Sequence, residues 1–150
     1  KENRYERLIA QIEILLKKCD DETARMATVS AILYHKMDYF FWCGFYRLIK
    51  GELIVGPYQG PVACQVLAKN TGVCRAVVKG KKTIVVPDVH QFPGHIACDS
   101  RSKSEIAIPV FDKMGNIKAV LDIDSKELNT FDETDAKYLE KIVALINSKS

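Results

Sequence analysis

Apolar residues recur with helical spacing at the start of the chain, where Tyr5, Leu8, Ile9, Ile12, Leu15 and Leu16 fall on one stripe. They predict an opening helix with one apolar face, suited either to the chain's own core or to a homodimer surface. The polar run Asp20-Asp21-Glu22-Thr23 interrupts, and Met26, Val29, Ile32 and Leu33 predict a second helix to about Lys36. From Tyr39 the period shortens to that of strands. Residues 39–48 are aromatic and apolar, Lys50-Gly51 turns, and residues 52–56 return as the hairpin mate. Gly56-Pro57 and Gly60-Pro61 predict a loop. Thr71 predicts the cap of a short helix that carries Cys74, Val77 and Val78 inward and stops at Gly80. Residues 83–86 predict a buried strand, and residues 105–111 and 117–124 a second hairpin across Lys113-Met114-Gly115-Asn116. Thr130-Phe131-Asp132-Glu133 predicts a capping box for a last helix with Ala136, Leu139, Ile142, Val143 and Ile146 inward. The order predicts an α+β fold: residues 1–150 as one domain, with one mainly antiparallel sheet of about six strands and helices packed on it.

Composition narrows the function classes. The net charge of +3 is small and both signs are interspersed, with no basic block, so a nucleic-acid partner is not expected. No apolar run approaches membrane-spanning length, and the charged start Lys1-Glu2-Asn3-Arg4 leads into no signal-peptide core, so no membrane association and a cytoplasmic location are expected. Five cysteines in such a compartment point to packing, metal or redox chemistry instead of structural disulfides.

The chemistry concentrates in residues 92–105, a loop running into the apolar segment that begins at Ile106. Cys98 lies three residues after His95 and within five of Arg101 and Lys103, and positive neighbours of this kind keep a thiol ionised and nucleophilic. Cys64 and Cys74 sit in or beside loops and are the other reactive candidates, whereas Cys19 and Cys43 suit packing. His90, His95 and Cys98, with Cys64 or Cys74, offer zinc-ligand types, but no CxxC or HxxxH pair exists, so no metal is expected. Trp42, Gly44 and Tyr46 share a strand face, where two rings flanking a glycine either fill core or wall a hollow for a methyl or thioether group. Asp122 and Asp124 share another strand face. They are either a solvated edge or, with Glu105 beside them, a three-carboxylate cluster of raised proton affinity.

Three features together resemble the free methionine-(R)-sulfoxide reductases, a family built on the GAF domain: Cys64, Cys74 and Cys98; the run from Phe92 to Ser100 leading to Ser104-Glu105-Ile106; and the segments Trp42-Cys43-Gly44-Phe45-Tyr46 and Leu121-Asp122-Ile123-Asp124-Ser125. The resemblance spans essentially the whole chain. It implies a thiol-dependent reductase of free L-methionine (R)-sulfoxide in which Cys98 attacks sulfur and becomes a sulfenic acid. Cys64 or Cys74 then closes a disulfide, and thioredoxin reopens it. It implies that Glu105, Asp122 and Asp124 hold substrate and supply the proton, and that Trp42, Tyr46, Ile96 and Ala97 line the substrate pocket. No bound cofactor is implied, NADPH entering only through thioredoxin and its reductase. Cys43 departs from the family pattern, which has an apolar residue there. The competing class is a GAF-type small-molecule-binding redox sensor without turnover, since fold alone does not separate the two.

Overall fold

The computed structural model describes residues 1–95 and 98–147. Helix α1 (Glu2–Leu16) and helix α2 (Glu22–Lys36) precede a hairpin of β1 (Trp42–Ile49) and β2 (Glu52–Gln59). Helix α3 (Val73–Gly80), strand β3 (Ile84–Val86), the hairpin β4 (Ser104–Phe111) and β5 (Ile117–Ser125), and helix α4 (Glu133–Ala144) follow. The strands form one sheet in the order β2-β1-β5-β4-β3, every neighbouring pair antiparallel.

Strand alternation divides the molecule into two layers on opposite faces of the sheet. Phe45, Ile106, Ile108, Leu121 and Ile123 face α1, α2 and α4, whose Tyr5, Leu8, Ile12, Met26, Val29, Leu33, Leu139 and Ile142 complete the larger core. The α1 stripe is thus buried within the chain's own core. The other face carries Trp42, Tyr46, Ala107 and Val120, covered by Val73, Cys74 and Val77 of α3.

Five strands form among the described residues where about six were expected. Beyond β2 the chain touches the sheet edge only at Val66, through a single bridge to Ile54 and the bonds Val55 N–H to Gln65 O and Leu67 N–H to Leu53 O. Gly60-Pro61 and the following loop prevent a longer pairing. Strand β2, in contrast, continues through Gly56-Pro57 to Gln59. It is an edge strand whose register shifts opposite Phe45, so that Val55 pairs Tyr46 while Tyr58 pairs Gly44. The proline sits in that bulge, where no ladder donor is required. Pro109 of β4 is tolerated for a related reason: β3 stops at Ile84 opposite Ala107, leaving that side of Pro109 unpaired.

Two helix starts differ from expectation. Helix α3 is preceded by Gly72 at φ 97°, and the Thr71 hydroxyl donates instead to the Gly94 carbonyl at 2.7 Å. A positive φ favours glycine at the entry, and freeing Thr71 lets it tie the α3 entry to the Cys98 loop. The α4 capping box is made by Asp132 and Asp135, two residues beyond the expected Thr130. Asp135 is fully buried because it also accepts from the hydroxyls of Tyr5 and Tyr39, at 2.5 and 2.8 Å, which fastens α4 to α1 and to the approach to β1. A carboxylate there satisfies more donors than the glutamate at Glu133 could reach.

Gly44 is required by close approach. A Cβ at that position would stand 2.2 Å from Tyr58 Cβ and 2.8 Å from Trp42 Cη2, because Trp42 stacks on Tyr58 at 5.2 Å and on Tyr46 at 5.8 Å. The space over Gly44 is thus filled by the ring stack itself, one of the two readings of that strand face. Gly44→Ala is expected to destabilise the chain by about 1–3 kcal/mol through overpacking. Urea unfolding followed by the fluorescence of Trp42, the one tryptophan, measures it directly.

Candidate active site

The floor of the site is written by the β-sheet register. Asp122 is paired with Gly44 on one side and Ala107 on the other, so its carboxyl stands between two positions that present almost no side chain. Asp124 is paired with Trp42 and with Glu105. Because Glu105, Asp122 and Asp124 alternate onto the α3 face, the three carboxyls gather at one end of the sheet, with Glu105 5% and Asp122 6% exposed. Cys74, in the first turn of α3, points at the same spot: its Sγ and one oxygen each of Glu105 and Asp122 lie within 4.8 Å of one another.

This enclosure controls protonation. Burial, then the Asp122 and Asp124 charges, push the Glu105 carboxyl well above the ordinary carboxylate range. Burial also raises Asp122, offset in part by hydrogen bonds from Glu105 and Cys74. Asp124, the least enclosed of the three, is raised by burial and by Asp122 and Asp99. Burial followed by the same carboxyls raises the Cys74 thiol, which is therefore held as S–H beside Asp122. The three carboxyls titrate as a coupled unit whose proton affinity lies above that of free carboxyls. Oδ1 of Asp122 is buried with no hydrogen-bond partner, an acceptor facing a cavity of about 220 Å³.

Two loops form the mouth of that cavity, and a disulfide between Cys64 and Cys98, thirty-four residues apart in sequence, joins them. The Cys64 loop is held by aromatic side chains: Trp42 Nε1–H donates to the Pro61 carbonyl and the Tyr46 hydroxyl to the Cys64 carbonyl, each at 3.0 Å. Trp42 and Tyr46 thereby serve the wall with their faces and the loop with their polar ends. Sequence pattern did not show this second task. The signal that could have revealed it is that a buried indole N–H and a buried phenol both need an acceptor.

The Cys98 loop is braced differently. Asp99 accepts from the Arg101 guanidinium at 2.6 and 2.9 Å and from its backbone N–H at 2.9 Å, bonds that lower the Asp99 carboxyl to about 2. Arg101 also lies over the Phe41 ring at 4.9 Å, with Lys126 at 5.4 Å. Arg101 is thus committed to its own turn. His95 lines the cavity, its Nε2 buried and unpartnered, and burial followed by the His90 charge lowers its pKa. His90 is exposed and bonds Asp88 at 3.2 Å.

The structure therefore brings together Cys64, Cys74, Cys98, Glu105, Asp122, Asp124, Trp42 and Tyr46 around one cavity. Of the two cysteines that sequence left open as partner of Cys98, Cys64 is the one bonded to it, while Cys74 remains a free thiol at the floor. Cys43 packs in the helix-side core on the opposite face of β1, and Cys19 is exposed beyond α1. Ile96 and Ala97, expected in the pocket wall, lie outside the described residues.

A GAF domain family model matches residues 21–148. The chain is 49% identical over 149 residues to GAF domain-containing protein A of Dictyostelium discoideum, covering 99% of this chain and 93% of that protein. It is 38% identical over 154 residues to the free methionine-R-sulfoxide reductase of Saccharomyces cerevisiae, covering 98% and 86%. Among solved structures, the free methionine-R-sulfoxide reductase from Neisseria meningitidis in complex with its substrate superposes with a TM-score of 0.91 at 39% identity, covering 95% of this chain and 86% of that one.

Two outcomes follow from this geometry. Denatured without reductant, the oxidised chain is expected to titrate three thiols, and five after reduction; in the native oxidised chain only Cys19 reacts quickly with an aromatic disulfide reagent. The carboxyl cluster also sets a pH dependence. Its folded-state proton affinities lie above the unfolded value of about 4, so its contribution to stability is complete below that pH and is lost as pH rises through the raised values. As pH rises above the ordinary carboxylate range the urea midpoint is expected to fall, and to fall less in Glu105→Gln, which has one ionisable group fewer in the cluster.

Proposed function

The chain belongs to the GAF-domain family, among the free methionine-(R)-sulfoxide reductases, and from that premise we propose how its residues return free L-methionine (R)-sulfoxide to L-methionine. In the reduced chain the Cys98 thiolate attacks the sulfoxide sulfur. A proton from the carboxyl cluster of Glu105, Asp122 and Asp124 goes to the sulfoxide oxygen, which would otherwise leave as an unstabilised anion. The oxygen passes to Cys98, giving a sulfenic acid and the methionine thioether. The Cys64 thiol then displaces water from that sulfenic acid and forms the Cys64–Cys98 disulfide. An external dithiol reopens the disulfide by exchange. Thioredoxin is the reductant proposed, drawing on NADPH through its own reductase.

The observation that carries this reading is the joining of Cys98 to Cys64 at the cavity that Glu105, Asp122 and Asp124 also line, three carboxyls of raised proton affinity. A free amino acid brings an ammonium, and the orphaned Asp122 Oδ1 is a buried acceptor able to receive its hydrogen bond. The rings of Trp42 and Tyr46 supply an apolar wall for the S-methyl group and so contribute to the choice of epimer. A peptide-bound sulfoxide has no free ammonium to satisfy that acceptor and is expected to be a poor substrate. Among the described residues no helix is long and apolar enough to cross a membrane, and the proposed place of work is the cytoplasm.

The test is turnover of the free (R) sulfoxide, the free (S) sulfoxide and N-acetylated sulfoxide with a thioredoxin system. Methionine is expected from the free (R) epimer alone. Cys98→Ser is expected to abolish it, whereas Cys43→Val, on the far face of β1, keeps nearly full activity. Cys64→Ser should release a single equivalent of methionine and then stall as the sulfenic acid. An absence of turnover by fully reduced wild-type chain would favour the sensor reading instead.

A further inference from the structure

The floor of the cavity contains a combination that an ammonium site does not need. Two carboxylates suffice to receive a substrate ammonium, yet a cysteine sulfur completes the set: Cys74 Sγ, a Glu105 oxygen and an Asp122 oxygen, all buried and within 4.8 Å of one another. Oxygen donors alone suit hard cations and ammonium. A thiolate added to two carboxylates is a donor set for a thiophilic divalent ion. The second observation is Asp122 Oδ1, buried and without a partner, on a residue that lines the cavity. All three residues line that cavity, so an ion has a path to them from solvent.

We propose that Cys74, Glu105 and Asp122 form a binding site for Zn²⁺ or a similar thiophilic divalent cation, with water as the fourth ligand, and that this ion competes with the substrate ammonium. The inference rests on the substrate placement proposed above for its competitive part, while the binding itself does not. A tetrahedral zinc ion holds ligands at roughly 2.0–2.3 Å, so the three side chains must draw inward by about 1 Å, which rotation of Cys74 and Glu105 can supply. Binding exchanges protons for the metal: the Cys74 thiol proton and those kept by the carboxyl pair pass to solvent. No electrons move. The site differs from the His90, His95 and Cys98 combination weighed from sequence, because those residues are on the loop above and Cys98 is bonded to Cys64. It gives Cys74 a role that the disulfide does not.

The oxidised chain is the material for the test, because the Cys64–Cys98 disulfide removes those two thiols from competition. A Cys19→Ser background removes the exposed thiol, and Cys43 is enclosed in the helix-side core. Co²⁺ is added first, as a spectroscopic substitute, and Zn²⁺ is then used to displace it. The expected result is one cobalt per chain with a thiolate-to-metal charge-transfer band, proton release on binding, and loss of the band on adding Zn²⁺. Cys74→Ser is expected to lose the band and, like Glu105→Gln, to bind at least about ten-fold more weakly, since losing a direct ligand costs no less than losing a supporting one. No band in the parent, or a band surviving in Cys74→Ser, overturns the site. Free methionine added to the cobalt-loaded chain is expected to displace the metal. A band that resists saturating methionine overturns the competition while the metal site stands, so failure of the substrate placement is distinguishable from failure of the metal site.

Discussion

Gathering three carboxyl groups at one end of a sheet, Glu105 and Asp122 buried and Asp124 half-buried, is the constraint on which this molecule depends. The antiparallel register of β4, β5 and β1 forces it, because Glu105, Asp122 and Asp124 cannot leave the α3 face without turning Leu121 and Ile123 out of the helix-side core. Carboxylates removed from water and set against one another hold protons that solvent would strip away. In the proposed reaction that raised proton affinity is what supplies the departing oxygen with its proton. Small residues flank Asp122: it pairs with Gly44 and Ala107, which present almost no side chain beside its carboxyl.

Around that floor the chain uses polar ends of apolar groups to place its loops. Trp42 and Tyr46 stack as core and hold the Pro61–Cys64 segment by one hydrogen bond each. Thr71 ties the entry of α3 to Gly94 in the opposite loop. Arg101 is consumed by Asp99 and Phe41, so it shapes the Cys98 turn and its charge is already paired. The two sulfurs of the disulfide are therefore brought together by interactions that lie outside both of them. Glu105 and Asp122 lie deep while Cys98 is exposed at the mouth, so the proposed substrate site and the proposed point of reduction occupy opposite ends of one cavity.

The fold was largely legible from pattern. The alternation of Ala119, Leu121 and Ile123 against Val120, Asp122 and Asp124 predicted both sheet faces, and the structure keeps that division. Helical stripes at Tyr5 to Leu16 and Ala136 to Ile146 placed the layer behind the sheet. Where expectation and structure part, long-range pairing is the cause. Pro57 reads as a loop residue but lies in an edge-strand bulge, Thr71 reads as a cap but bonds across to Gly94, and the capping box moves to Asp132 because Asp135 is recruited by Tyr5 and Tyr39.

By itself the sequence determined the alternation that sorts apolar from carboxylate positions, the presence of thiols in or beside loops, and a motif pattern specific enough to indicate the family. These are local properties, carried by residue type and spacing. Only the tertiary structure decided that Cys64, thirty-four residues away, pairs with Cys98 while Cys74 sinks to the carboxyl floor. The reason is physical: which thiol meets which depends on sheet register, on the α3 docking that turns Cys74 inward, and on side-chain bonds across the cavity, and spacing along the chain encodes none of these distances.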